Sequence, residues 1–123
     1  MDLKTYFENT KGLGILATAD AEGRVDVAIY ARPHVIDDHT IAIIMSDRLT
    51  HQNLQSNPHA AYLFVEDGPG YKGHRLGLTK LREDADPGLI ESTRRKARAV
   101  RGEDSPRYLV HFRIDSIRPA VGG

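Results

Sequence analysis

Between Leu13 and Met45 one strand-forming run follows another with only tight turns between them, and that restricts the chain to a small set of folds. Leu13 to Thr18 leads into Asp20 to Gly23, a hairpin turn in which Gly23 is free to take positive φ, and then into Val25 to Tyr30. The return strand continues as Arg32 to Ile36, where Pro33 withholds a ladder donor and so demands a bend, a bulge or an edge. After a turn at Asp37 to His39 comes Ile41 to Met45, apolar on both faces and suited to a strand covered on both sides. Connections this short join antiparallel neighbours, because parallel pairing needs a long crossover. Ala60 to Val65, Arg75 to Arg82 and Tyr108 to Ile117 bring the count to six strands. Six antiparallel strands in one small domain would expose two edges, and closing the sheet into a barrel removes them. A β-α-β-α alternation is missing, which argues against a doubly wound nucleotide fold.

Three helices accompany these strands. Asp2 caps the first, on which Leu3, Tyr6, Phe7 and Thr10 recur at helical spacing. The second runs from Thr50 or His51 to Ser56 and ends at Asn57-Pro58, since proline disfavours a helical predecessor. The third starts at Pro87 with Asp86 as its cap, and Leu89, Ile90, Thr93, Ala97 and Val100 form its inner face. The whole chain, residues 1–123, makes one domain.

Composition narrows the function classes. Lys+Arg and Asp+Glu are 17 each, so no overall basic field draws the chain to nucleic acid or to an acidic membrane. Arg94, Arg95, Lys96, Arg98 and Arg101 read as the solvated face of a helix, without the aromatic interleaving that base stacking requires. Cysteine is absent, and the six histidines form no metal-ligating pattern, so no metal is expected. The N-terminus lacks the basic flank and apolar run of a signal peptide, and Ile41 to Met45 is too short to span a bilayer, so the cytoplasm is the expected compartment. No nucleophile elbow, phosphate-binding P-loop or dinucleotide fingerprint occurs, and no catalytic residue stands out.

The most informative stretch is Ser46 to Pro58. A buried strand delivers the chain to Arg48, and Thr50 with Asn53 is spaced like a capping box at a helix start. Free helix N–H groups, the Arg48 charge and the Thr50 hydroxyl would together make a phosphate cup; the alternative is an ordinary capped helix beside a surface arginine. The pattern Ser46, Leu49-Thr50, Asn53-Leu54, Asn57-Pro58 resembles the strand–loop–helix of pyridoxamine 5′-phosphate oxidase-like FMN-binding proteins. The opening from the first helix through Gly12 to Gly23 and Val25 to Ala28 is similar to theirs as well, so the resemblance is good to about Lys80. Many members place a lysine at or next to the positions of Leu49 and Thr50; here Arg48 and His51 stand in that loop instead.

The resemblance implies a mainly β fold, a six-stranded antiparallel split barrel with flanking helices. It implies FMN as cofactor, its ring against the backbone of Ile29, Tyr30, Ala31 and Arg32 and of Ile44, Met45 and Ser46. The phosphate would lie at Arg48, Leu49, Thr50, His51 and Asn53. The glycine-rich loop, with Tyr71, Lys72 and Arg75, would close the pocket of the other subunit in a homodimer whose sites lie at the interface. Strands around Tyr30, Tyr62 and Phe64 would need the partner's cover. The implied function is that of a flavoprotein oxidoreductase acting on a small molecule; the alternative is a non-catalytic dimer that binds a flavin, haem or similar planar ligand.

Overall fold

The computed structural model describes residues 2–93 and 107–122. In chain order the elements are α1 (Leu3–Asn9), β1 (Gly12–Ala19), β2 (Val25–Tyr30), β3 (His34–Asp37), β4 (Thr40–Ser46), α2 (Leu49–Ser56), β5 (His59–Glu66), β6 (Gly73–Asp84), α3 (Pro87–Thr93) and β7 (Arg107–Pro119). The strands form one antiparallel sheet in the order β2-β1-β5-β6-β7-β4-β3. There are seven strands rather than six, because Pro33 does more than bend the return strand. The stretch splits there: β2 pairs with β1 and β3 pairs with β4.

That split shapes the molecule. β2 and β3 are the two ends of the sheet order, yet only Ala31, Arg32 and Pro33 join them. Seven strands laid flat would separate the outer two by about 29 Å, at roughly 4.8 Å per strand. Tyr30 and His34 can be no more than about 14 Å apart along the chain. The sheet therefore curls until its ends approach, and the curled face encloses the core. Leu16 of β1, Tyr62 and Phe64 of β5, Leu76 and Leu78 of β6, Val110 and Phe112 of β7, and Ile41, Ile43 and Met45 of β4 share one cluster. Phe7 and Leu3 of α1 and Leu54 of α2 complete it, and Pro33 itself is buried. Outside the barrel, Ile90 of α3 covers Ala42 and Leu109, which explains why β4 is apolar on both faces.

Local chemistry agrees with this arrangement. The Asp2 side chain accepts a hydrogen bond from the Thr5 amide at 3.2 Å and so caps α1. Gly23 closes the β1–β2 turn with φ of 83°. The Gly88 amide donates to Asp86 at 2.9 Å at the start of α3. Ala97, Val100 and the basic cluster from Arg94 to Arg101 lie outside the described residues. Tyr62 and Phe64 do not await a partner, since both are fully buried inside their own barrel. Their strand neighbours Ala61, Leu63 and Val65 face outward instead. Among the described residues no helix is long and apolar enough to cross a membrane.

Candidate functional site

Three segments carry the residues singled out in the sequence: the β2–β3 link, the β4–α2 turn and the β5–β6 hairpin tip. At the link, β2 leaves its ladder after Tyr30↔Gly14, and β3 joins its own at His34↔Ala42. Prolonged by two residues, the β3–β4 register sets Arg32 opposite Ile44, but pairing does not extend that far. The link is pinned from within: the Tyr62 hydroxyl donates to the Ala31 carbonyl at 3.0 Å. Arg32 Nη1 donates to the carbonyls of Phe7 at 2.8 Å and Thr10 at 3.0 Å, at the end of α1 where carbonyls lack helical donors. Arg32 thus fastens α1 over the link. Ile29 is exposed on the outer face, whereas Tyr30 packs on the core. Ile44 lies on the α3 side, and Met45 is buried, so Met45 offers a ligand only its backbone.

The β4–α2 turn differs from a capping box. The N-cap of α2 is Arg48, whose side chain makes no cap hydrogen bond, and its amide donates to the Ser46 carbonyl at 2.9 Å. The first helical bond runs from Gln52 N to Arg48 O, which leaves the amides of Leu49, Thr50 and His51 outside the helical ladder. Arg48 and Leu49 are exposed. Thr50, His51 and Asn53 turn inward and are buried. Asn53 Nδ2 donates to Thr18 Oγ1 at 3.1 Å, tying α2 to β1. These donors fit a phosphate: helix-start amides beside an exposed guanidinium. The exposed Asp47 carboxylate in the same turn opposes one.

His51 is the centre of a cluster that sequence reasoning missed. Its Nδ1 lies 2.8 Å from Asp47 Oδ1, and its Nε2 lies 3.0 Å from Glu83 Oε2. Its ring stacks on Tyr108 with centroids 4.0 Å apart. Gln55 and Lys80 also reach Glu83, at 3.0 Å and 2.7 Å. Burial alone would raise the Glu83 carboxyl, but the bonds from Lys80, Gln55 and His51 outweigh it and hold the group at about 2. The i,i+4 spacings of Asp47, His51 and Gln55 were visible in the sequence; Glu83 enters only through the path of β6.

At the hairpin tip Tyr71 is 74% exposed and takes φ of 51°, a left-handed conformation that a bulky residue adopts at a cost. Lys72 is exposed, and its carbonyl accepts from the Glu66 amide at 2.8 Å. Arg75 is tied to its own chain, donating to the carbonyls of Pro119 at 2.8 Å and Gly122 at 2.9 Å. The tip and α2 sit at opposite ends of β1. The Asp67 amide donates to the Lys11 carbonyl, just before β1, whereas α2 is bound to Thr18 and, through Asn57, to the Asp20 carbonyl.

No family model and no curated protein matches the sequence. Solved structures do match in shape. An FMN-binding protein from Syntrophomonas wolfei subsp. wolfei superposes with a TM-score of 0.79 at 15% identity, over 98% of this chain and 84% of that one. HupZ of Group A Streptococcus gives 0.73 at 22% identity, over 99% and 94%. A putative pyridoxamine 5′-phosphate oxidase from Lactobacillus delbrueckii gives 0.69 at 18% identity, over 96% and 92%. The fold is that of the pyridoxamine 5′-phosphate oxidase-like, FMN-binding split barrels.

Proposed function

We propose that the chain is an FMN-binding flavoprotein that works as a homodimer and passes electrons to or from a small molecule. The observation that carries this reading is the break in the sheet. Ile29 and Tyr30 pair with β1 up to it, Ala31 and Arg32 cross it, and Ile44 to Ser46 of β4, paired with β7, run beyond the last β3 pair. The latter segment leads directly to the exposed Arg48 and the unused amides at the start of α2. A flavin needs backbone donors and acceptors at its pyrimidine edge, apolar contact on its faces and an anion cup for its phosphate. When bound, FMN would supply the redox chemistry; this chain's residues seat and orient it.

The same site also suits a non-catalytic flavin-binding dimer. His51, a side chain able to move a proton, is engaged in internal hydrogen bonds, and Arg32, a permanent cation, is committed to carbonyls at the end of α1. Anaerobic reduction followed by mixing with candidate electron acceptors separates the two, since a carrier gives no turnover.

The phosphate cup is tested by titrating apo-protein with FMN and with riboflavin. FMN should bind more tightly. Arg48→Ala should weaken FMN by about 1.5–3 kcal/mol, the scale of a charge-assisted hydrogen bond, and leave riboflavin unchanged. Equal affinity for the two flavins removes the cup from the reading.

A further inference from the structure

The outward-facing side chains of β2, β1 and β5 fall into two unlike rows. Ladder register sets Ile29, Ile15 and Leu63 side by side in one row, and Val27, Ala17 and Ala61 in the next. The first row is bulky throughout, whereas the second shrinks to alanine on β1 and β5. The outer face thus carries an apolar ridge beside a shallow groove. Both rows continue onto β6, as Arg75 and Gly77, again large beside small.

Two features turn this face, rather than the free edge of β2, toward a second copy of the chain. β2 points Asp26 inward beside Thr18, and an inward charge discourages another strand from extending the sheet. The face also has the required extent. Three strands about 4.8 Å apart, each with up to four outward positions about 6.8 Å apart, project roughly 390 Å², and β6 adds a polar rim that raises this to roughly 520 Å². Accessible area over standing side chains exceeds its projection, which brings the face to the about 600–800 Å² that each partner buries in a small-to-standard interface.

We infer that the homodimer packs this face on itself about a two-fold axis that crosses the strands between the two rows, so that β1 of one copy runs antiparallel to β1 of the other. This deepens the homodimer reading and rests on it. Ile15 then meets the partner's Ala17, Leu63 meets the partner's Ala61 and Ile29 meets the partner's Val27, ridge into groove on both sides of the axis. Arg75 meets the partner's Gly77 instead of a second arginine. Packed sheets cross at about 30°, so the match is closest at β1 and its neighbours. An axis along β1, or one crossing the strands through either row, sets Ile15 on Ile15 or Ala17 on Ala17, where ridges collide or grooves leave a void. The axis also decides which ends meet. Within one chain the hairpin tip is bound at the Lys11 end of β1 and α2 at the Thr18 end. Opposed strands bring the partner's tip to the α2 end of this chain, whereas an axis along β1 sets tip beside tip.

The chain has no cysteine, so single spin labels can be placed without removing any. Ala21 is exposed in the β1–β2 turn, five residues from the axis at Leu16. Labels on Ala21→Cys should lie about 34 Å apart in the dimer, twice five residues at strand rise; an axis along β1 would hold them under roughly 20 Å, near the sheet spacing. This measurement leaves the packed rows untouched. Sedimentation supplies the second. Ala17→Leu fills the groove that receives the partner's Ile15 and should raise the dimer dissociation constant at least tenfold. Adding Ile15→Ala to the same chain makes room for that leucine and should recover at least threefold of the loss. A natural protein that is monomeric at micromolar concentration overturns the homodimer reading and this inference with it. A dimer indifferent to Ala17→Leu, a double variant no tighter than Ala17→Leu alone, or labels under 20 Å overturns this inference and leaves the homodimer standing.

Discussion

Glu83 shows how one side chain's protonation couples to folding. Its carboxyl titrates at about 2 in the folded chain against an ordinary 4.5, despite burial, because Lys80, Gln55 and His51 hydrogen-bond the charged form. A carboxyl lowered by folding stabilises the native state fully above its unfolded value and loses that contribution as pH falls toward its folded value. The melting temperature should therefore decline between pH 4.5 and 2, and Glu83→Gln should decline less steeply in that window. Parallel curves would mean that the cluster adds no proton-linked stability. Asp20 and Asp115, lowered by surface hydrogen bonds, tilt both curves alike. Residues of this kind were only partly legible beforehand. The caps at Asp2 and Asp86 and the turn at Gly23 follow from neighbours a few positions away. His51 looked like a loop cation because the residues that bury it, Glu83 and Tyr108, are distant in sequence. Thr50 and Asn53 had capping-box spacing, but the helix begins at Arg48, which carries Asn53 a turn inward to Thr18.

At the scale of elements, tight turns and apolar alternation were enough to place β1, β5, β6 and β7 and to require a curled antiparallel sheet. They were not enough to show that β2 and β3 are separate, because a proline in a strand is compatible with a bend as well as a break. The break is held by contacts across the barrel. Gly14 of β1 leaves room for the Tyr62 hydroxyl, which bonds the Ala31 carbonyl of the link. A Cβ at Gly14 would lie 1.9 Å from that hydroxyl oxygen and 2.6 Å from the Tyr30 carbonyl oxygen. The oxygen of Tyr30 is backbone and cannot step aside. Gly14→Ala should therefore cost about 3 kcal/mol in denaturant unfolding, the upper end for overpacking, and should weaken any flavin held by the link. Normal stability in this variant would show that the link and β1 can separate freely.

For the whole molecule, the decisive surface is the outside of β2, β1 and β5. Val25, Val27 and Ile29 are 81%, 66% and 72% exposed, an unusual amount of apolar surface for one edge strand. Register sets Ile29 beside Ile15 and Ile15 beside Leu63, and Val27 beside Ala17 and Ala17 beside Ala61, so the apolar rows run across three strands. The sequence had pointed to Tyr62 and Phe64 as the residues needing cover. Alternation marks two faces of a strand, but when both are apolar it does not say which one turns inward. A second copy of the chain covering this face would make the homodimer, and Val27→Glu should then yield monomers by light scattering. Whether the sites are shared between subunits is a further question. Within one chain the hairpin tip and α2 are held at opposite ends of β1, from Gly12 to Thr18, roughly 20 Å apart at strand rise. A pocket using both the Arg48 turn and Tyr71 must therefore take them from different chains. Arg48→Ala in one chain and Tyr71→Ala with Lys72→Ala in the other test this; Arg75 is left intact because it anchors its own C-terminal strand. Each homodimer should bind FMN weakly. In a mixed dimer with shared sites, both lesions fall in one site and the other is intact, so half the sites recover natural affinity by symmetry. If demonstrated heterodimers recover none, the tip of β5–β6 is no wall of the partner's flavin pocket.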